Sequence, residues 1–159
     1  MKPREAYPSE GFRLVMLDAA APAAFFAGVA RLIAEQAAEE GRPAAADVPA
    51  RLKALTRPGS SALVHALVGP GEEVVGFQLA NACRTLGGEY AYINETFIPK
   101  ASRGLGLGFV LMRAFLEWAR ERGFSHVYSR TRSPEMRRIA EALGAKIKPV
   151  DWVDIPLDA

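Results

Sequence analysis

Apolar positions in the first third of the chain change from a strand-like run to a helical spacing. The run at 12–17 follows a glycine and precedes an aspartate, which predicts a first strand. Phe26, Val29 and Ile33 then recur at i, i+3 and i+7, so an amphipathic helix is predicted over 22–40.

Short elements follow in quick succession. A second helix is predicted to begin behind Asp47 as its N-cap and to end at Pro58. Three strands are predicted next, at 61–68, 74–83 and 90–98, with short glycine-containing connections between them. Since a parallel crossover needs a dozen or more residues, these three strands must be antiparallel neighbours.

The remaining pattern alternates between helix and strand. Helical spacing predicts a helix that begins at Leu107 and ends before Gly123, followed by a strand at 124–131. Ser133 as N-cap, Pro134 at the first helical position and Gly144 at the end delimit another helix. Two short strands are predicted at the end of this order, near 146–150 and 152–155.

This order of elements predicts an α/β fold with a mixed sheet. An antiparallel meander is followed by one strand-helix-strand crossover, from 90–98 to 124–131. This crossover makes the two strands parallel, and the connection is expected to be right-handed. Helices are expected on both faces of the sheet. With 159 residues and half of them apolar, residues 1–159 are expected to form one domain.

Charge and cysteine content narrow the functional classes. Twenty basic and 18 acidic residues are interspersed, which argues against a nucleic-acid-binding surface. A local basic cluster is either a solvated face or an anion subsite, and consists of Arg130, Arg132, Arg137 and Arg138. One cysteine, Cys83, excludes an internal disulfide and favours a cytoplasmic location. No apolar stretch long enough for a signal or a membrane span is present, so no membrane partner is expected.

Metal and thiol chemistry find no support in the sequence. His65 and His126 each stand alone in apolar runs without a second ligand at metal spacing. Cys83 has no identifiable histidine partner that would activate it. We therefore predict no metal site and assign these residues no catalytic role.

The segment with recognisable chemistry lies between the strand at 90–98 and the helix at 107. Its residues 103–108 read Arg-Gly-Leu-Gly-Leu-Gly. Glycines remove Cβ atoms where a backbone approaches a ligand closely. Because the first N–H groups of a helix have no internal partner and the helix dipole is positive there, this turn is suited to a phosphate group. A glycine-rich helix start that only turns the chain is the plain alternative.

Two other phosphate-binding motifs do not fit. A P-loop ends in Gly-Lys-Ser/Thr, whereas Gly108 is followed by Phe109 and Val110. A dinucleotide-binding fold uses G-x-G-x-x-G in a parallel sheet with an acidic residue after the next strand. Here the spacing is G-x-G-x-G, antiparallel hairpins precede it, and the next strand ends in arginines.

Residues 103–108 resemble the Q/R-x-x-G-x-G/A signature of the GNAT superfamily of acetyl-CoA-dependent N-acyltransferases, and the predicted order of elements resembles the GNAT fold. The resemblance implies acetyl-CoA as co-substrate and a small-molecule or peptidic amine as acceptor, with many relatives being homodimers. It implies that the turn holds the coenzyme pyrophosphate and that the end of the fourth strand pairs with the pantetheine arm. The implied coenzyme-binding residues are Phe97, Ile98, Arg103, Gly104, Leu105, Gly106, Leu107, Gly108, Ser133 and Arg137.

Acetyl transfer requires a neutral amine, and a free alkylamine has a pKa of about 10. The resemblance places an acidic base on the fourth strand, which points to Glu95, with Asn94 beside it. A structural or solubilising carboxylate is the alternative for Glu95. Strict alternation places Glu95 on the same face as Ile93 and Phe97, and Asn94 on the opposite face.

The departing thiolate is protonated in many GNAT enzymes by a tyrosine that here is replaced by Ala140. Tyr128 on the fifth strand is a candidate substitute, and half-buried packing is its alternative role. Ser133 is either a pantetheine contact or only an N-cap. Because Ala140 cannot protonate the thiolate, a domain that binds acyl-CoA without turnover is a second hypothesis. A third hypothesis is an NADP-binding module that uses Arg130 and Arg132 for the 2′-phosphate.

Overall fold

The computed structural model describes residues 10–148. Its strands in this part of the chain are β1 (Arg13–Met16), β2 (Ala62–Val68), β3 (Val74–Thr85), β4 (Gly88–Phe97) and β5 (His126–Ser129). The helices are α1 (Ala23–Glu39), α2 (Val48–Leu55), α3 (Leu107–Glu121) and α4 (Pro134–Ala142), and a 3₁₀ turn occupies Lys100–Ser102.

The strands form one sheet in the order β1-β2-β3-β4-β5. Each pair from β1 to β4 is antiparallel, whereas β5 is parallel to β4. Helix α3 lies between β4 and β5 in the chain, so it provides the crossover that parallel pairing needs. The predicted α/β fold with an antiparallel meander and one parallel crossover is confirmed.

Helices pack on both faces of the sheet, as predicted. On one face Phe77 and Phe97 pack with Phe25, Val29 and Leu32 of α1. On the opposite face the sheet contacts α3 and α4 through a set that includes Ala80, Ile93, Met112, Phe115 and Ile139. We call the side that packs against α1 the α1 face, and the opposite side the α3 face.

Two details of the first helices differ from the prediction. The fully buried stripe of α1 runs through Phe25, Val29 and Leu32, while Phe26 and Ile33 are only half-buried beside it. Asp47 precedes α2 but has a left-handed backbone (φ 65°) and makes no side-chain capping hydrogen bond. No helix within residues 10–148 has the length and apolar content of a membrane span.

The strand ends also differ from the pattern. Strand β3 continues to Thr85 and turns through two residues into β4, while β5 is shorter than the predicted 124–131. Residues 146–148 are not in a strand, and the rest of the predicted strand at 146–150 and all of that at 152–155 lie outside the described residues. Strand β5 ends at Ser129, opposite Ile93, so the last residues of β4 have no partner in it.

His65 lies in the core, on the α3 face of β2. Its side chain is fully buried, with its ring against Phe115 and Trp118 at centroid distances of 5.3 and 4.4 Å. Burial, with a smaller contribution from the charge of Arg122, lowers the pKa of His65 to about 3. The imidazole is therefore neutral in the folded protein at neutral pH, which agrees with a packing role.

This buried histidine makes stability depend on pH. Between pH 6.5, its ordinary pKa, and about 3, the unfolded chain binds a proton at His65 that the folded chain does not. Lowering the pH from 7 to 5 should therefore cost about 2 kcal/mol of unfolding free energy through this residue. Urea unfolding at both pH values would measure the cost.

The variant His65→Phe removes the titrating group from the same apolar site. Its unfolding free energy should change less between pH 7 and 5 than that of the unmodified protein, by the same ~2 kcal/mol. His126→Gln is the control, because His126 is exposed on β5. Parallel pH curves for His65→Phe and the unmodified protein would contradict this account.

Candidate functional site

The glycine turn connects β4 to α3 in a left-handed backbone conformation. Gly104 and Gly106 have φ of 79° and 77°, which residues with a Cβ rarely adopt. A Cβ atom at Gly104 would meet no atom within 4 Å, so the space next to this residue is open. The positive φ, and not a lack of space, therefore favours glycine at this position.

Helix α3 begins directly at this turn without a side-chain cap. Gly106 is its N-cap residue, and the first intrahelical bond runs from the Val110 amide to the Gly106 carbonyl. The amides of Leu107 and Gly108 lie in the first turn, where an N–H group has no acceptor within the helix. The first turn contains no acidic residue that would neutralise the helix dipole. A negatively charged group is therefore favoured at this end of α3.

An open cleft of about 1500 Å³ extends from these amides, and we call it the turn cleft. Its floor is the glycine turn and the end of β4, and its walls are α4 and the C-terminal end of α1. Residues that line it include Thr96, Phe97, Ile98, Arg103, Gly104, Leu105, Gly106, Leu107, Gly108, Ser133, Met136 and Ile139. The structure thus brings together nine of the ten residues predicted for coenzyme binding.

The tenth predicted residue, Arg137, lies elsewhere. Arg138 lines the turn cleft instead, while Arg137 faces a second cleft on the other side of α4. Ser133 caps α4 by accepting a hydrogen bond from the Met136 amide at 3.2 Å, so its N-cap role is present in the structure. Ser133 also lines the turn cleft, and its contact with the coenzyme stays a prediction.

Strands β4 and β5 separate at the cleft. Their parallel register runs from Tyr90 opposite His126 to Ile93 opposite Ser129. From Asn94 onward β4 has no paired residue in β5. This separation leaves one edge of the β4 end available to an extended ligand.

A β-bulge at the same point corrects the predicted alternation. Leu79 of β3 lies opposite Glu95, and the next residue, Ala80, lies opposite Ile93, so Asn94 is an extra residue in β4. One extra residue reverses the facing of all side chains beyond it. Glu95 therefore lies on the α1 face with Phe97, whereas Ile93 faces α3, and the expectation that Glu95 and Ile93 share a face is wrong.

The Asn94 and Glu95 side chains are exposed at the bulge. The Asn94 amide donates a hydrogen bond to the Asn81 side-chain oxygen of β3, which holds it on the same face as Glu95. The next residue, Thr96, donates its hydroxyl to the buried Gln78 at 3.2 Å. Glu95 is left at the opening between the separated strands.

Glu95 lines a cleft of about 2010 Å³ that adjoins the turn cleft, and we call it the strand cleft. The two clefts share five lining residues, which are Gln36, Glu40, Thr96, Ser133 and Met136. Asn94, Tyr128 and Ala140 also line the strand cleft. The three predicted catalytic residues and the alanine at the usual tyrosine place are therefore brought to one cavity.

Tyr128 is 43% exposed and its ring stands edge-on to that of Tyr90, with centroids 5.2 Å apart. It is also stacked on His126 at 5.6 Å. A hydrogen bond with the Cys83 thiol raises the pKa of the neighbouring Tyr90 phenol. Packing and access to the cleft are thus combined in Tyr128, and its role as a proton donor stays a prediction.

The sequence placed the acceptor near the first two helices, where Glu35, Glu39 and Glu40 either favour a cationic substrate or form an exposed helix face, but it did not predict that α1 binds the segment before the glycine turn. Glu39, at the last position of α1, lines the turn cleft and forms an ion pair with Arg103 at 2.6 Å. The two residues are 64 positions apart, and no periodicity connects them. Within residues 10–148 no group of three or more His, Cys, Asp or Glu side chains is placed to hold a metal ion.

The sequence profile described as "Acetyltransferase (GNAT) family" matches residues 26–144. This range includes the glycine turn, the bulge and most of the residues that line the two clefts. No curated protein sequence matches the chain.

Solved structures share the fold at low sequence identity. A probable acetyltransferase is 12% identical with a TM-score of 0.77, over 92% of this chain and 99% of that chain. An aminoglycoside acetyltransferase from an uncultured soil metagenomic sample, in complex with sisomicin, is 16% identical with a TM-score of 0.74, over 92% and 97%. The ribosomal-protein-alanine N-acetyltransferase of Brucella melitensis biovar Abortus 2308 is 19% identical with a TM-score of 0.69, over 91% and 98%.

Proposed function

Because the chain belongs to the GNAT acetyltransferase family, we propose that it transfers an acetyl group from acetyl-CoA to a primary amine by direct attack in a ternary complex. The observation that carries this proposal is the start of α3. There a left-handed glycine turn, an uncapped helix end and an open cleft meet at one point.

The residues of the cleft fit coenzyme A in two parts. The amides of 104–108 suit the pyrophosphate, since they combine unpaired donors with the positive end of the helix dipole. The β4 edge beyond Ile93 suits the pantetheine arm, whose amides can bond a strand that has lost its partner. Phe97 is the last residue of β4, and Ile98 follows it directly. The coenzyme would supply the acetyl thioester, and the chain supplies its position next to the bulge.

Glu95 is the proposed base. At pH 7 only about one alkylamine in 10³ is neutral, so removal of the ammonium proton is needed before attack. The carboxylate is exposed in the strand cleft and, because of the bulge, faces the α1 side, where Gln36 and Glu40 form the cleft wall. An acceptor amine placed there can pass its proton to Glu95 directly or through a water molecule.

The thiolate must also be released. A thiol pKa of about 8.5 makes the thiolate a tolerable leaving group without a dedicated acid. Tyr128 lines the same cleft and is the candidate donor, since Ala140 carries no ionisable group. The same alanine supports the second candidate function, an acyl-CoA-binding domain without turnover.

A binding measurement followed by an acetylation assay tests the proposal. We expect titration calorimetry to show 1:1 binding of coenzyme A. For at least one acceptor, mass spectrometry should show a product that is heavier by about 42 Da, the mass added when one acetyl group replaces one hydrogen. The amine panel should contain aminoglycosides, peptides with N-terminal alanine, amino acids and polyamines. Two neighbours in fold are named an aminoglycoside acetyltransferase and a ribosomal-protein-alanine N-acetyltransferase.

The outcomes separate the candidates. Binding of coenzyme A without any acetylated product would favour the binding domain. Absence of coenzyme A binding would overturn both functions. A rise in melting temperature with NADPH but not with coenzyme A would support the NADP-binding hypothesis instead.

A further inference from the structure

The side chain of Arg103 points away from the glycine turn that follows it. Its Nε donates to the Ile98 carbonyl at 2.9 Å, and its Nη2 donates to Glu39 Oε2 at 2.6 Å. Its guanidinium carbon also lies 5.6 Å from the centre of the Phe97 ring. All three contacts are with the end of β4 or the end of α1, and none is with residues 104–108.

Glu39 holds the connection at a second point. Its Oε1 accepts a hydrogen bond from the backbone amide of Lys100 at 3.3 Å, where the 3₁₀ turn begins. The Glu39 side chain is only 26% exposed in this pair, compared with 66% for Glu72 in its pair with Arg13. One carboxylate of α1 therefore binds both ends of the 3₁₀ turn, immediately before Gly104.

We propose that Glu39 is a positioning residue for the glycine turn, and that Arg103 acts with it as a strut and not as a phosphate ligand. The inference rests on the proposed function, because it concerns the turn that would hold the coenzyme. Charge-assisted hydrogen bonds are shorter and stronger than neutral ones, and here they connect segments that are about 60 residues apart in the chain. They restrict the backbone that leads into Gly104 and so keep the α3 amides directed into the turn cleft.

The opposite role for Arg103 makes an opposite prediction. If its guanidinium bound the pyrophosphate, Glu39 would compete for it, and removal of Glu39 would tighten coenzyme binding. If the pair is a strut, removal of either partner loosens the turn, and both variants bind the coenzyme more weakly. The sign of the Glu39 effect thus distinguishes the two arrangements.

Titration calorimetry with coenzyme A should be applied to the full chain, to Glu39→Ala, to Arg103→Met and to the double variant. We expect each single variant to weaken binding by about threefold to tenfold, and the double variant to be no weaker than the worse single one, since both remove one unit. The KM for acetyl-CoA should rise by a similar factor, with kcat at saturating coenzyme nearly unchanged.

Two controls separate positioning from a general loss of stability. Glu117→Ala removes the weaker pair of Arg113 and Glu117, 4.0 Å apart on the exposed side of α3, and should leave coenzyme affinity unchanged. Glu39→Gln keeps a side-chain oxygen that can accept the Lys100 amide hydrogen bond, so it should bind coenzyme better than Glu39→Ala. If Glu39→Ala does not fold, Glu39→Gln provides the test in its place.

Several results would overturn the strut. These are tighter binding by Glu39→Ala or Glu39→Gln, unchanged binding by both, or fully additive losses in the double variant. If the unmodified protein binds coenzyme A and one of these results is found, the inference fails and the proposed function stands. If the unmodified protein does not bind coenzyme A, the proposed function fails and this inference fails with it.

Discussion

In the Glu95→Gln variant we expect kcat to fall by about 10²- to 10⁴-fold, the range that general-base catalysis contributes. Glutamine keeps the size and hydrogen-bonding reach of the side chain but cannot accept the ammonium proton. The remaining rate should rise tenfold per pH unit toward the amine pKa of about 10, because only amine that is already neutral reacts. Steady-state kinetics between about pH 6 and 9, a range that lies below the amine pKa, would measure both effects.

Coenzyme binding separates this effect from a structural one. Glu95 lies at the bulge and not among the residues that line the turn cleft, so Glu95→Gln should bind coenzyme A as the unmodified protein does. Glu89→Gln is the matched control, since Glu89 is in the same strand but pairs with Arg84 at the hairpin. A Glu95→Gln variant with unchanged kcat and pH profile would place the base at another residue.

The Gly106→Val variant is expected to lose coenzyme affinity by about 5- to 150-fold. A β-branched residue in a left-handed conformation costs about 1–3 kcal/mol, and a change of 1.4 kcal/mol in binding corresponds to tenfold in affinity. Gly106 has φ of 77° at the N-cap of α3. Relief of the strain would rotate the peptide that begins the helix, and the α3 amides would no longer converge. Titration calorimetry with coenzyme A would measure the loss.

Gly123→Val places the same strain at the other end of α3. Gly123 has φ of 80°, and a Cβ there would meet no atom within 4 Å. The two variants should therefore lose similar folding stability, which thermal unfolding would show, but Gly123→Val should bind coenzyme A normally. Equal losses of affinity in both variants would mean that Gly106 acts through the stability of α3 and not through the geometry of the turn.

Elements with strong local signals were predicted well. Helix α4 begins at Pro134, directly after the N-cap Ser133, as expected, because an N-cap oxygen and a fixed proline φ act within one turn. Helix α3 ends before Gly123, which has the left-handed conformation that favours glycine. Asp47 shows the limit of such rules, since it has the residue type of an N-cap without the capping bond.

The register of β4 was not predictable from the pattern. Ile93, Glu95 and Phe97 alternate in sequence as one face would, yet the bulge at Asn94 places Ile93 on the other face. A bulge depends on which residues of β3 pair with which residues of β4, and that choice depends on burial against α1 and α3. The orientation of the proposed base was therefore decided by the packed sheet.

The sequence by itself determined the order of strands and helices, the parallel crossover at α3 and the glycine turn, because each depends on residues within a few positions or on the length of a connection. The tertiary structure alone decided the facing of Glu95, the separation of β4 from β5 and the pair between Glu39 and Arg103. These features need contacts between segments distant in the chain, and such contacts are selected by the packing of the whole sheet and its helices.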